Sequence, residues 1–472
     1  MFQHNQIEAD CRLYRFHFIG IGGIGMSGLA LLLVEQGHQI SGSDLKENYL
    51  TERLVSKGAQ IFVGHHQENL SNADFVVVSS AIDWSNPEVI KAQSLGIPLI
   101  KRGRLLADLM HSTYGISVAG THGKTTTSSL LSHMFISAKR SPTYVIGGCL
   151  NDTQRNALKG DSKYFICEAD ESDNSFVELS PVVSIITNID ADHMETFGGN
   201  MSCLEASFDQ YCHKVPFNGL VVLGIDDLNV QRLANRYQGT TITYGVHTDA
   251  DITAKNIMQE GLRTRFSVAI KKSNLLFECE IPLPGEHNVQ NALACIATCL
   301  NEKMTVEEIQ QGLSSFPGVG RRAQVISSRL FGENVTVIDD YGHHPCEIEA
   351  THVALKAAWP ERRLVWVFQP HRYSRTQFQF AAYIDCLSKI QHLILLDVFP
   401  AGEAEIEGAT SADLAQAVAQ KTGDKPLVWK DLYEMSERLK EIIKPNDVVI
   451  FQGAGSVSSW AKELLTCQSK VA

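Results

Sequence analysis

The sequence predicts an α/β protein of three domains, each built around a mostly parallel sheet, and three observations carry that expectation. The chain has 472 residues, more than one hydrophobic core organises. Apolar strand runs alternate with helical spans, and twice a strand passes through a glycine-containing loop directly into a helix. After the turn-forming segment Phe316-Pro317-Gly318-Val319-Gly320 the alternation starts again.

The first domain is expected over residues 1–107. Phe16 to Ile21 is apolar and β-rich, Gly22 to Gly25 interrupt it, Met26 to Gln36 suits a helix, and Gly37 ends that helix. A strand around Gln39 to Gly42, a helix near Thr51 to Lys57 and a buried strand at Phe75 to Val78 continue the alternation to about Lys101. The central domain, residues 108–317, restarts with a strand at Gly115 to Ala119, a second glycine loop and a helix from Thr125. Strands near Tyr164 to Cys167, Val182 to Thr187 and Leu220 to Leu223 follow, then a helix beginning near His287. The third domain, residues 318–472, has apolar runs at Val335 to Ile338, Leu364 to Phe368, Leu393 to Leu396 and Val448 to Phe451, the pattern of parallel strands buried on both faces.

Composition narrows the function. With 44% hydrophobic and 20% charged residues, nearly all of the chain should fold. A formal charge of −12, with basic runs such as Lys101 to Arg104 standing alone, argues against nucleic acid as a partner. No apolar run reaches the ~18 residues of a membrane span, so no membrane insertion is expected. The first ten residues carry Gln, His, Asn, Glu and Asp instead of a basic then apolar leader, which predicts a cytoplasmic protein. Eleven cysteines without C-x-x-C spacing read as reduced thiols. Cys295 and Cys299, four apart, suit core packing better than zinc.

The clearest chemical signal is Val118-Ala119-Gly120-Thr121-His122-Gly123-Lys124-Thr125-Thr126-Thr127. Loop N–H groups and the helix N-terminus offer positive partial charge to phosphate oxygens, Lys124 adds a full charge, and the Thr125 hydroxyl suits magnesium. The first glycine of the longer phosphate-loop pattern is absent, Val118 standing in its place. ATP is the favoured ligand. Two acidic strand ends follow. Cys167-Glu168-Ala169-Asp170-Glu171-Ser172-Asp173 offers oxygen ligands, Glu168 being the preferred one, and Thr187-Asn188-Ile189-Asp190-Ala191-Asp192-His193 adds carboxylates and an imidazole. His193 reads either as a metal ligand or as a hydrogen-bonded loop histidine.

The earlier loop, Gly20-Ile21-Gly22-Gly23-Ile24-Gly25, fits G-x-G-x-x-G, with Asp44 after the second strand. Alone it reads as a dinucleotide site. Beside a second loop that carries Lys-Thr, it implies a different phosphate-bearing ligand, and a nucleotide sugar fits as well as NAD. In the last domain Asp339-Asp340-Tyr341-Gly342-His343-His344-Pro345 and Pro370-His371-Arg372-Tyr373-Ser374-Arg375 each follow a strand. The arginines are either a bidentate carboxylate clamp or a surface loop.

Taken together and in this order along essentially the whole chain, these segments resemble the Mur ligases, ATP-dependent amide-forming enzymes of peptidoglycan precursor synthesis. Within that family, His17-Phe18-Ile19-Gly20-Ile21-Gly22-Gly23-Ile24-Gly25-Met26-Ser27-Gly28 with Ser41-Gly42-Ser43-Asp44 is similar to the member that adds L-alanine to UDP-N-acetylmuramate. The recycling ligase for a tripeptide usually differs in this loop. The resemblance implies a Rossmann-like N-terminal domain for the UDP-sugar, a central P-loop ATPase, and a Rossmann-like C-terminal domain that receives the amino acid and closes.

By the same resemblance, Gly22, Gly23, Ile24, Gly25, Asp44, His65, Ser80 and Arg102 line the UDP-sugar site. Gly120, Thr121, His122, Gly123, Lys124, Thr125, Thr126, His287, Asn288, Asn291, Arg322 and Asp340 meet ATP, and Thr125, Glu168 and His193 hold Mg2+. Lys124, Glu168 and His193 are the expected catalytic residues, and Tyr341, His343, Arg372 and Arg375 the amino-acid site. Several relatives carry a carbamylated lysine after the Asp-His motif; no lysine lies here between His193 and Lys214, so none is expected. A monomer or a homodimer is expected. Two rivals remain: a nicotinamide-dependent oxidoreductase, resting on the first loop alone, and a non-catalytic nucleotide switch.

Overall fold

The computed structural model describes residues 12–468. They form two compact units, one running up to Cys149 and resuming over Gln154–Thr243, the other taking Leu150–Thr153 and the chain from Tyr244.

The first unit holds two sheets. The earlier has β1 (Arg15–Ile19), β2 (Gln39–Asp44), β3 (Gln60–Val63), β4 (Phe75–Val78) and β5 (Leu99–Lys101) in the order β3-β2-β1-β4-β5. Every pairing is parallel, so all five strands end at one edge, and the order reverses beside β1, the position at which open α/β sheets take their ligands. The later sheet has β6 (Tyr114–Ala119), β7 (Thr143–Val145), β8 (Ala157–Leu158), β9 (Tyr164–Glu168), β10 (Val183–Ile186) and β11 (Leu220–Gly224) in the order β11-β10-β6-β9-β7-β8. Only its β7–β8 pair is antiparallel.

Helix Ile24–Glu35 explains how these sheets join. It is buried from Met26 through Leu33, because both sheets use its surface. Asn156 Nδ2 donates to Ile24 O at 2.7 Å and to Ser27 Oγ at 3.1 Å. A Cβ on Gly28 would sit 3.2 Å from Val145 and Asn156, so those side chains would have to give way for any larger residue. Phe16, Leu29, Leu105, Phe165, Phe176 and Phe208 belong to one core, where burial stabilises by roughly 1.5–3 kcal/mol per large side chain. Residue 107 lies inside helix Arg102–Met110, which leads from one sheet to the next.

In the second unit the end of β12 (Thr241–Gly245) pairs with β13 (Ile252–Glu260), followed by the antiparallel β14 (Arg263–Ile270) and β15 (Leu275–Ile281). Helix Glu286–Asn301 buries Cys295 and Cys299, which favours packing over zinc for that pair. Pro317 and Gly318 lie between helix Val306–Ser314 and the last sheet. That sheet comprises β16 (Gln324–Leu330), β17 (Glu333–Asp340), β18 (Leu364–Phe368), β19 (His392–Leu396), β20 (Leu427–Trp429) and β21 (Val448–Gln452), ordered β16-β17-β21-β18-β19-β20. It is parallel except for the β16–β17 hairpin. Alternate residues of β18 fill opposite cores, Val365 and Val367 on one face, Trp366 and Phe368 on the other. Among the described residues no helix is long and apolar enough to cross a membrane.

Candidate active site

The residues expected to meet a UDP-sugar emerge at one edge of the first sheet. Gly22 to Gly25 follow β1, Asp44 ends β2, His65 follows β3, exposed Ser80 follows β4, and Arg102 follows β5. Parallel strands place these loops together although up to 80 residues separate them. Asp44 is turned onto the loop itself: Gly22 N–H donates to Asp44 Oδ2 at 2.8 Å, and Asn48 Nδ2 donates to Gly22 O at 3.1 Å. Arg102 lies over Gly25, whose added Cβ would be 3.2 Å from Arg102 Cδ. Its guanidinium donates to Asp170 Oδ2 at 3.1 Å and stands 3.7 Å from Asp173. Arg102 thus ties the first loop to the acidic strand end of the second sheet.

The phosphate loop follows β6. Gly120 and Gly123 have φ of +126° and +82°. A Cβ on Gly120 would lie 2.1 Å from Thr187 Oγ1, so backbone and space both demand glycine there. The β10 edge holds the loop. Asn188 Oδ1 accepts from His122 N–H at 2.8 Å, Thr187 Oγ1 donates to His122 O at 2.7 Å, and His122 Nε2 lies 3.2 Å from Asp190 Oδ2. Thr121 Oγ1 accepts from Asp190 N–H at 2.8 Å.

Helix Lys124–Ser137 starts with Lys124 and Thr125, the groups expected to meet phosphate and metal. Lys124 Nζ donates to Gly120 O at 2.7 Å and to Glu171 Oε1 at 3.0 Å. Burial pushes the Lys124 ammonium down, but Glu171, Asp170 and Glu168 outweigh it and hold its pKa above the ordinary lysine value. Burial pushes the Glu171 carboxyl up to about 7, with Lys124 opposing and Asp170 adding. Asp170 goes the other way: burial raises it, yet Arg102 and Lys124 bring it below the usual carboxylate range. Thr125 Oγ1 lies 3.1 Å from both Glu168 oxygens, and Glu168 Oε2 also accepts from Gly147 N–H at 2.9 Å. A hydroxyl beside a carboxylate is a hard-oxygen donor set suited to Mg2+. Thr126 is buried. His193 sits at φ +53°, its Nε2 3.5 Å from Asp192 Oδ2.

In the second unit His287, Asn288 and Asn291 share the first turns of helix Glu286–Asn301. Asn288 Nδ2 donates to Pro284 O at 2.7 Å and meets His287 Nε2 at 3.0 Å, and Asn291 Nδ2 donates to Asn288 Oδ1 at 3.2 Å. Burial pushes His287 down to about 4, with Asp340 opposing and Arg322 reinforcing. Asp340 is buried, accepting from Ala323 N–H at 2.8 Å, Gly342 N–H at 2.9 Å and Gln452 Nε2 at 2.8 Å.

Two guanidiniums stand over Tyr341, those of Arg321 and Arg322 at 4.7 and 5.2 Å from its ring centroid. The rings continue from Tyr341 to His343 at 5.4 Å and His371 at 5.9 Å, and Arg375 Nη1 stands 3.4 Å from His371 Nδ1. Burial, His343 and the surrounding arginines push His371 down to about 3. Arg372 has φ +68°, a strained setting for a non-glycine residue. Its Nε is 4.0 Å from Glu403 Oε1.

Sequence reasoning passed over several partners. Glu171 stood within the quoted acidic run, and Asn188 within the Asp-His motif. His371 stood within the basic run after β18, whereas Arg321 and Glu347, the latter 3.8 Å from Arg322, carried no signal.

Three α/β sheets, the second ending in a lysine-bearing phosphate loop, define a multidomain protein of the phosphate-loop class. The sequence matches three family models: Mur ligase family, catalytic domain, over residues 15–114; Mur ligase middle domain over 118–299; and Mur ligase, glutamate ligase domain, over 321–455. Among solved structures it is similar to the UDP-N-acetylmuramate-alanine ligase of Thermotoga maritima, at 27% identity over 97% of this chain and 100% of that one, with TM-score 0.83. It is also similar to a murein peptide ligase of Psychrobacter arcticus (23% identity, 96% and 98% covered, TM-score 0.72). A MurF ligase of Thermotoga maritima in complex with ADP shares the fold (18% identity, 91% and 96% covered, TM-score 0.60). The chain belongs to the Mur ligase family.

Proposed function

We propose that this Mur ligase joins L-alanine to the lactyl carboxylate of UDP-N-acetylmuramate, driven by ATP, in cytoplasmic synthesis of peptidoglycan precursors. The observation that carries the reading is the pairing in one unit of a backbone-lined glycine loop with a second loop that leads into Lys124 and Thr125, which Glu168 at the end of β9 meets. Full-length similarity to an alanine ligase at 27% identity supports the choice of amino acid.

In this reading the first sheet, to about residue 107, holds the UDP moiety through Gly22, Gly23, Ile24, Gly25, Asp44, His65, Ser80 and Arg102. The middle part, to about residue 317, takes ATP on Gly120 to Thr126, with His287, Asn288, Asn291, Arg322 and Asp340 also assigned to the nucleotide. The remainder supplies Tyr341, His343, Arg372 and Arg375 to the amino acid.

An unactivated carboxylate resists an amine. A carboxylate oxygen of the lactyl group attacks the γ-phosphorus, the bond to the ADP oxygen breaks, and an acyl phosphate forms. The neutral amine of alanine then attacks the acyl carbon, the carbon–oxygen bond to phosphate breaks, and a base takes the proton released from nitrogen. Lys124, kept protonated by its carboxylate neighbours, stabilises charge on the transferring phosphoryl oxygens. Arg372 and Arg375 suit the amino-acid carboxylate. Thr125, Glu168 and His193 would hold Mg2+, which supplies further positive charge at the phosphates when bound.

The test is phosphate release from ATP and Mg2+ with UDP-N-acetylmuramate and, in turn, L-alanine, glycine, L-serine and the recycled tripeptide, with controls lacking each component. Release that needs both the sugar nucleotide and L-alanine, with the amide confirmed by mass, is expected. Preference for the tripeptide would reassign the chain to the recycling ligase. Bound NAD without ATP turnover, or ATP binding that no substrate stimulates, would favour the rival classes.

A further inference from the structure

Beneath the edge that follows β2 and β3 lies a buried carboxylate that none of the assigned roles uses. Glu88, on helix Pro87–Ser94, has no exposed side-chain surface. Its Oε1 accepts from Asn69 Nδ2 at 2.7 Å and from His66 N–H at 3.1 Å. Its Oε2 meets Ser43 Oγ at 2.6 Å and His17 Nε2 at 3.1 Å. Burial alone would push this carboxyl up, but His17, Ser43 and Asn69 hold it below the usual glutamate value, so it is ionised and can only accept.

Counting protons then determines the next residue. The single Ser43 hydroxyl proton goes to Glu88 Oε2, so Ser43 Oγ is an acceptor toward its other neighbour, His65 Nδ1, at 2.9 Å. His65 Nδ1 must therefore carry a hydrogen. Glu88 itself is 4.0 Å from His65 Nδ1, too far to bond it directly, so the effect passes through Ser43. In the neutral ring Nε2 is left as an acceptor. A histidine bonded to an ordinary serine could take either tautomer; the buried anion removes that choice.

We propose that Glu88 is a positioning residue that acts through Ser43 to set the His65 tautomer, so that His65 Nε2 accepts a hydrogen bond from an N–H or O–H donor of the uridine moiety. The proposal rests on the reading that this edge holds the UDP moiety. The donor is either the uracil N–H or a ribose hydroxyl, and both belong to the same ligand.

The test combines a spectroscopic reading with binding of UDP to the full-length protein. Nitrogen-15 shifts of the His65 ring, assigned by comparison with His65→Phe, are expected to show Nδ1–H in the ligand-free wild type and loss of that preference in Ser43→Ala. UDP affinity, by calorimetry, should fall about tenfold in His65→Phe, the size expected for one hydrogen bond, and about fivefold in Glu88→Gln and in Ser43→Ala, where the competent tautomer becomes a minority form. Adding Ser43→Ala to His65→Phe should cost nothing more. In steady state the KM for the sugar nucleotide should rise in Ser43→Ala while kcat and the KM for ATP stay put. N3-methyl-UDP and 2′-deoxy-UDP separate the donors: the analogue lacking the true donor should bind wild type and His65→Phe equally.

A wild-type ring protonated at Nε2 overturns the proposal, as do additive losses or Ser43→Ala affinity within about twofold of wild type. Should Glu88→Gln fail to fold, Ser43→Ala decides. If wild type bound no UDP at all, the sugar-nucleotide assignment would fall, while the ligand-free tautomer would still decide the relay.

Discussion

The two glycine loops of the first unit share a construction and differ in their surroundings. Each follows a parallel strand, each turns through a glycine at positive φ, Gly20 in one and Gly120 and Gly123 in the other, and each opens a buried helix. Around the first, Asp44 and Asn48 bind the loop's own backbone. Around the second stand Lys124, Glu168, Asp170 and Glu171, three carboxylates raising one ammonium. Strand topology thus sets where a phosphate can sit. In the proposed reading, the side chains of the first helical turn and of the neighbouring strand ends set whether the loop only holds a diphosphate or acts on one.

The sharpest way to break that contrast is Lys124→Ala. Phosphate release should fall by about 10²–10³-fold, the usual scale for removing a donor to developing charge. Calorimetric UDP affinity should be unchanged; an equal loss there would mean that the loops are not separate in function.

Matched glycine substitutions come next. Gly120→Ala combines φ +126° with a Cβ 2.1 Å from Thr187 Oγ1, so thermal melting should show destabilisation of about 1–3 kcal/mol, with ATP turnover lost. A Cβ on Gly22 would meet Asn48 Nδ2 at 2.8 Å and Asp44 Oδ2 at 2.9 Å, side-chain ends that can shift. Gly22→Ala should melt close to wild type and raise the KM for the sugar nucleotide about tenfold.

Charge around the second loop should also leave a pH signature. The Glu171 carboxyl has an ordinary value of 4.5 and is pushed to about 7 in the fold. Between those values the folded chain keeps a proton that the unfolded chain has lost, so stability falls as pH rises through that window. Relative to Glu171→Gln, which does not titrate, wild type should lose up to about 3 kcal/mol across it in urea titrations. A change of opposite sign would contradict the assignment. The smallest effect is expected from Asp44→Asn, which keeps an oxygen for Gly22 N–H and loses the charge together with the acceptor that exposed Leu45 N–H uses. Its KM for the sugar nucleotide should rise about threefold at most.

Much of this was legible because parallel strands buried on both faces are continuous apolar runs, as β4 and β18 show. Strands β13 to β15 were not, since one face is exposed and Lys255, Arg263 and Arg265 interrupt any continuous apolar run. Strands β7, β8 and β20 are two or three residues long and offer no period at all. Within the candidate site, the placement of Lys124 and Thr125 at a helix start and of Glu168 beside Thr125 could be read because a motif's spacing is tied to strand, loop and helix. Which carboxylate of the run Glu168 to Asp173 turns toward Lys124 could not, since that depends on tertiary packing. Glu88 was hidden more completely. Asn86-Pro87-Glu88 reads as a helix start, with Asn86 capping and Pro87 in the first turn, while burial of Glu88 comes from Ser43 and His17, 45 and 71 residues away.

The central claim, that ATP activates the lactyl carboxylate as an acyl phosphate, is tested most directly with UDP-N-acetylmuramate labelled with oxygen-18 in that carboxylate. The account predicts that released phosphate carries one labelled oxygen per turnover, because the attacking oxygen leaves with phosphorus. Unlabelled phosphate formed alongside the amide product would contradict it.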